Sequence, residues 1–294
     1  MFEFPEVPES LRLIVLAVLQ GIAEFLPISS SGHLNVFSTA LGGEPSTLVN
    51  IALHAGTLLS ILIFYRKRIM RLLAEDRRVI LLLIVGTIPA AVIGVTIKKV
   101  YPWLLEDLLL TGVMFVITGL ALVYFHRIAR NEADAKEKKA DKESSAGKDS
   151  LDSQSAERLD YVDLSIKAVL FIGLFQAFAL MPGISRSGFT ILAGILMGLK
   201  HKSAGTFSFL LAIPAILGAT VLELLDLFET PPTENLGMVC VAAVVAFFVG
   251  LASLALLVKM IDRGQLHWFA LWVLPLGFLV ILWRIYQQLS ELAG

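Results

Sequence analysis

The chain has 294 residues, with 24 basic and 25 acidic side chains and a formal net charge of −1. Charged residues make up 17% and hydrophobic ones 56%, against roughly 25% charged in soluble domains, and the mean hydropathy is +0.79. So little polar skin excludes an ordinary soluble domain, the balanced charge argues against nucleic-acid binding, and the single cysteine, Cys240, excludes a disulfide scaffold.

The first ten residues carry Glu3, Glu6 and Glu9 and no Lys or Arg, the wrong sign for the start of a cleaved signal peptide. Residues 11–43 form an apolar stretch too long for one span, cut near its middle by Leu-Pro-Ile-Ser-Ser-Ser-Gly at 26–32. Apolar runs at about 47–66, 79–99 and 105–127 follow, each long enough to cross a bilayer as a helix. Residues 127–160 then hold 17 of the 49 charged residues and almost no large apolar ones. That composition cannot bury a core, so a polar, unstructured linker is predicted over 128–160. A second over-long stretch, 164–199, is cut by Met-Pro-Gly-Ile-Ser-Arg-Ser-Gly at 181–188. Three more spanning runs follow at about 203–223, 237–259 and 267–288.

The pattern predicts an all-α integral membrane protein, one membrane domain over 1–294, with six transmembrane helices and two re-entrant helical hairpins. The two breaks share a Pro-(Gly)-Ile-Ser-x-Ser-Gly core, and three spans follow each. Residues 11–127 and 161–288 therefore read as two repeats. With the N-terminus outside, 18 of the 24 basic residues fall in inside loops, and the loop near 223–236 is acidic. The linker is then cytoplasmic, and the halves are inverted copies whose shared interface is the expected place for a site.

Glu24 is the only charged residue between 13 and 43, and Arg186 the only one between 168 and 199. An ionisable group at membrane depth marks a function or a buried pair. Around them cluster Gln20, Ser29, Ser30, Ser31, His33, Ser185, Ser187 and Thr190. Gln20 and Glu24 share a helix face and can offer oxygens to a hard cation or a water. The Ser-rich turns precede half-helices whose free N–H groups suit a phosphate, and Arg186 can hold phosphate bidentately. His33 is a candidate proton donor or acceptor. The other role for Glu24 and Arg186 is an ion pair joining the halves. His54 fits either a place lining the site or a packing role at a helix end, Pro89 and Pro214 are expected to kink their spans, and Trp103, Trp268, Trp272 and Trp283 read as an interfacial belt. The basic run Arg66–Arg78 reads as topology and lipid head-group contact.

Gln20-Gly-Ile-Ala-Glu24-Phe-Leu-Pro27-Ile-Ser-Ser-Ser-Gly-His33 and Pro182-Gly-Ile-Ser-Arg-Ser-Gly188-Phe-Thr190 resemble the two signature motifs of the undecaprenyl-diphosphate phosphatase family of the bacitracin-resistance type. The resemblance covers nearly the whole chain except the linker. It implies hydrolysis of a C55 isoprenyl diphosphate to the monophosphate carrier of cell-wall synthesis, in the bacterial plasma (inner) membrane, with a divalent cation, Mg²⁺ or Ca²⁺. Carried over by motif, Gln20, Glu24, Ser30, His33, Ser185 and Arg186 are the functional positions, with Glu24, Ser30, His33 and Arg186 catalytic. The expected substrate contacts are Gln20, Ser29, Ser31, Ser185, Ser187 and Thr190. Many members have Glu where Gln20 stands, so metal binding falls mainly on Glu24. The partners are the isoprenyl diphosphate and membrane lipids, not nucleic acid, and a homo-oligomer is compatible with the sequence. The competing function is a transporter or flippase for an anionic polyprenyl phosphate lipid, a use common among inverted repeats with broken helices.

Overall fold

The computed structural model describes residues 8–41, 43, 45–145, 159–227 and 235–293. Six helices among the described residues are long and apolar enough to cross a membrane. They are α3 (Thr47–Phe64), α5 (Arg77–Val100), α6 (Leu108–Ser145), α9 (His201–Leu227), α10 (Leu236–Asp262) and α11 (Ala270–Ala293). Side-chain caps stand where the apolar runs begin: Ser46 accepts from the Val49 amide before α3, and Asn235 from the Gly237 amide before α10. Pro89, Pro214 and Pro275 all lie inside helices that continue past them. A short basic helix, α4 (Arg66–Ala74), joins α3 to α5.

Each over-long apolar stretch is two shorter helices. The first is α1 (Glu9–Ala23) and α2 (Ser30–Ala40), and the second α7 (Ile166–Phe178) and α8 (Arg186–Leu196). At 1.5 Å per residue the longest of these is roughly 22 Å, short of a bilayer core of about 30 Å. α1 packs on α2 and α7 on α8.

The linker differs from expectation. α6 continues to Ser145, so residues 128–145 are helical. Ala, Glu and Lys dominate there, and their high intrinsic helix propensity lets a spanning helix propagate beyond its apolar part without a core to pack on. Residues 146–158 lie outside the described residues, and the last two of the predicted linker are tied to the second repeat, Leu159 through backbone bonds to Gly198 and Lys200 and Asp160 by accepting from the Ser203 hydroxyl.

Packing between the halves is reciprocal. α1 lies on α10 as α7 lies on α5, and α3 lies on α10 as α9 lies on α5. α3 meets α9, and α6 meets α11. Exchanging the halves maps each of these contacts onto another or onto itself. Spans present apolar side chains outward, among them Leu81, Phe248, Phe278 and Leu282, as expected when the surrounding solvent is lipid. α8 is the opposite case: every residue from Ser187 to Ile195 is buried. It is the centre of the protein, wrapped on all sides.

The α7–α5 contact is backbone-close. A Cβ on Gly173 would stand 2.4 Å from the Gly86 carbonyl oxygen, whereas one on Gly218 would meet nothing within 4 Å. Gly173→Ala should therefore destabilise by about 1–3 kcal/mol, the usual cost of overpacking, and lower the melting temperature in detergent. Gly218→Ala should leave it unchanged or slightly higher. Equal melting temperatures for the two variants would contradict this packing.

Candidate active site

The two breaks meet. Ser29 caps α2, its hydroxyl accepting from the Gly32 amide at 3.3 Å, and Ser185 caps α8, accepting from the Gly188 amide at 3.2 Å. The residue after each cap opens its helix: Ser30 in the first turn and Arg186 in the second. The Ser29 hydroxyl also accepts from the Gly183 amide of the other break, at 3.1 Å. Thr118 of α6 fastens the second break, donating to the Gly183 carbonyl and accepting from the Ser185 amide. Gly183 adopts φ +96°, and a Cβ there would fall 2.3 Å from the Thr111 carbonyl oxygen, so only glycine fits.

Ser29 has φ 73°, the one positive φ at a non-glycine among the described residues. Such a backbone costs on the order of 1–3 kcal/mol and persists only when its surroundings hold it. Here the two amides on its hydroxyl hold it, together with the His33 Nδ1 that donates to its carbonyl at 2.8 Å.

Glu24, at the end of α1, is the hub. One carboxylate oxygen accepts from the Arg186 guanidinium at 2.6 Å. The other accepts from the Gln20 amide at 3.1 Å and from the Ser30 hydroxyl at 2.9 Å. Both charged groups are largely withdrawn from solvent, with side-chain exposures of 16% for Arg186 and 6% for Glu24. Charge-assisted bonds of this kind are the stronger sort. The other terminal nitrogen of Arg186 and the amide oxygen of Gln20 are buried with no hydrogen-bond partner. Polar atoms stranded like this are costly unless a ligand or water completes them. Two helix N-termini also converge here, with positive ends and unpaired first-turn N–H groups. Together they are donors of the kind an anion can use, set beside a carboxylate and a hydroxyl already in contact.

Gln20, Glu24, Ser30 and Arg186 are thus brought together. Of the other expected site residues, Ser29 and Ser185 are the caps. Ser187 lies 3.2 Å from the Ser185 hydroxyl and Ser31 3.4 Å from that of Ser29. Thr190 bonds the Arg186 carbonyl and, at 2.6 Å, Ser208 of α9. His33 is buried, and its ring bonds neither Glu24, Ser30 nor Arg186. Its Nε2 accepts from the indole N–H of Trp272 at 2.9 Å. Trp272 is therefore not merely part of an interfacial belt. Nothing in its position in an apolar run signalled this, because the contact spans 239 residues. Gln176 was also missed. It precedes Ser185 by nine residues, as Gln20 precedes Ser29, and it is buried with neither amide atom bonded. Aligning the repeats on proline hides this match, since the extra Gly183 shifts the proline by one.

A divalent cation was expected on Glu24. No group of three or more His, Cys, Asp or Glu side chains that could hold a metal occurs among the described residues. Still, the unpartnered Gln20 oxygen beside the Glu24 carboxylate is a fitting pair for a hard cation that takes its remaining ligands from water and phosphate.

Fold and site together define a class: a multi-pass helical membrane protein with a buried cluster of carboxylate, guanidinium and hydroxyl groups where two mirrored broken helices meet. A family model, described as bacitracin resistance protein BacA, matches residues 13–279, and the chain belongs to that family. A relative named undecaprenyl-diphosphatase from Rhodopirellula baltica is 46% identical over 93% of this chain and 98% of its own length. Another of that name, from Syntrophotalea carbinolica, is 34% identical over 91% of this chain and 96% of its own. The protein named undecaprenyl-diphosphatase 2 of Corynebacterium jeikeium is 32% identical over 92% and 94%.

The Glu24–Arg186 pair has a stability signature. Arg186→Ala leaves a carboxylate buried without its cation and should cost about 3–5 kcal/mol, whereas the double variant Glu24→Gln, Arg186→Met should recover most of that. Detergent melting curves check it; a double variant no more stable than Arg186→Ala would show that the pair is not the cause.

Proposed function

We propose that the chain is a membrane phosphatase converting undecaprenyl diphosphate to undecaprenyl phosphate and inorganic phosphate. It thereby recycles the carrier lipid for cell-wall synthesis in the bacterial inner membrane and confers bacitracin resistance. The observation that carries this reading is the Ser30–Glu24 hydrogen bond of 2.9 Å beside Arg186. Binding an anion needs only donors; hydrolysis also needs a nucleophile and somewhere for its proton to go.

In this reading the terminal phosphate lies between the two half-helix N-termini, held by Arg186 and first-turn N–H groups. The Ser30 hydroxyl gives its proton to Glu24 as its oxygen bonds the terminal phosphorus. The bond from that phosphorus to the bridging oxygen breaks, and the lipid leaves as its monophosphate. Water then attacks the phosphorus of the phosphoserine, the Ser30 oxygen leaves and takes back the proton held by Glu24, and inorganic phosphate departs carrying the water's oxygen and its protons. Phosphoryl transfer asks mainly for positioning and charge stabilisation, which the site is built to give. Glu24 and Gln20 would hold a divalent cation, which would add further neutralisation of the diphosphate. His33 acts through Ser29, since both its ring nitrogens are engaged there and at Trp272.

Position supports the same reading. Gly183 and Gly32 pack against Thr111 and Phe115, in the first two turns of α6. Those turns are at the outside end when the basic loops are inside. Both hairpins then enter and leave on their own faces of the membrane and meet in its outer half. The head group reaches a polar pocket from the outer leaflet, and the isoprenyl chain stays in lipid. One chain supplies every group in the pocket, so an oligomer is not required.

Purified protein given a polyprenyl diphosphate should release phosphate, and a chelator should suppress the release. Ser30→Ala should lose on the order of 10³-fold or more. Arg186→Lys should lose about 10²-fold, nearly as much as Arg186→Ala, because one ammonium cannot hold two phosphate oxygens in register. No release with any cation would favour a transporter of anionic polyprenyl lipid. A stable Arg186→Lys protein with near-normal turnover would remove the second repeat from substrate binding.

A further inference from the structure

We infer that Trp272 is a positioning residue for the reaction: it locks His33 in one neutral tautomer, and His33 in turn holds the strained Ser29 turn that presents Ser30. The inference rests on the phosphatase reading for its kinetic consequences but on geometry for the lock itself.

His33 is 1% exposed, and both ring nitrogens are hydrogen-bonded, Nδ1 to the Ser29 carbonyl and Nε2 to the Trp272 indole. The Ser29 carbonyl can only accept, so Nδ1 must carry the proton. An indole N–H can only donate, so Nε2 must carry the lone pair. Both contacts demand the same tautomer. Phe115 sets its edge on the ring at 5.0 Å, and the Trp272 and Phe37 rings lie nearly parallel to it. The imidazole has no freedom to turn over. Adding a proton at Nε2 would set two N–H groups against each other, so His33 does not exchange protons in this arrangement. Its bond to Ser29 instead fixes the residue whose hydroxyl ties the two breaks and whose neighbour, Ser30, faces Glu24. Trp272 is itself half exposed, at 52%. In an apolar run facing lipid its N–H needs a partner, and His33 is the one it has.

Two measurements test this. The first is nitrogen NMR on ¹⁵N-labelled wild-type protein. The expected result is a pyrrole-type Nδ1 and a pyridine-type Nε2 at His33, with a scalar coupling between that Nε2 and the Trp272 indole nitrogen across the hydrogen bond. Absence of that coupling, or a protonated Nε2, overturns the lock regardless of whether the protein hydrolyses anything. The second is a double-mutant cycle on phosphate release. Trp272→Phe keeps the ring and loses the donor, and should lower kcat about tenfold or more with KM within about threefold. That is the scale on which losing a His-orienting partner is felt at metal sites. Because Trp272 acts through His33, its loss and that of His33→Gln should fail to add. Full additivity of the two, or an unchanged kcat in folded Trp272→Phe, overturns the positioning role. If wild-type protein shows the coupling but releases no phosphate, the phosphatase reading fails and the lock stands.

Discussion

An interrupted helix inside a membrane leaves backbone N–H and C=O groups that lipid cannot satisfy, and most of this structure follows from where those groups are put. Both interruptions are placed against each other in the protein interior. Ser29 takes the amide of Gly183 from across the interface, and Thr118 closes the second break from the side. α8, which follows that break, has protein around its whole circumference. The six full spans are the wall that makes this possible. Their outward faces stay apolar, and their inward faces carry the few hydroxyls and glycines that the breaks require.

The site is a by-product of the same requirement. A helix that starts inside a protein brings a positive end and unpaired N–H groups with it. Two such starts in contact form a strongly electropositive, desolvated place. Left alone it would be costly; Glu24 offsets it by accepting from Arg186, Gln20 and Ser30 at once. The carboxylate that balances the resting protein is also the one group placed to receive a proton from Ser30. Structural and chemical roles for the Glu24–Arg186 pair, which the sequence left as alternatives, are therefore compatible.

Much of this was legible in the chain. The spans follow from apolar length, and the breaks from Pro, Ser and Gly in runs too long for one helix. The convergence of Gln20, Glu24, Ser30 and Arg186 follows from two lone charges, one beside each break, and from the shared motif that pairs the breaks. What was not legible depends on long-range contacts or on register. His33 looked like an acid or base because nothing in the sequence says that Trp272 occupies its Nε2. Gln176 was hidden because the repeats match by distance to the capping serine, not to the proline. The charged stretch that follows the apolar part of α6 reads as a linker without secondary structure, but a helix already started needs only propensity to continue to Ser145.

The reciprocal packing also explains how two similar turns come to do different things. Ser29 and Ser185 cap their helices in the same way, so Ser30 and Arg186 occupy one and the same position, the first residue of a half-helix. By the same spacing Glu24 matches Leu180. In a symmetric ancestor of these turns, both first positions would carry the same side chain. Two serines would give nucleophiles with no cation to hold the anion, and two arginines would crowd like charges with no nucleophile. A carboxylate in both places would put two negative charges beside a diphosphate. The frame is built alike in its two halves, each break being capped by a serine that accepts from the amide three residues on. The chemistry needs them unlike at this position. One repeat carries the carboxylate and the hydroxyl, the other the guanidinium, and neither half contains the site without the other.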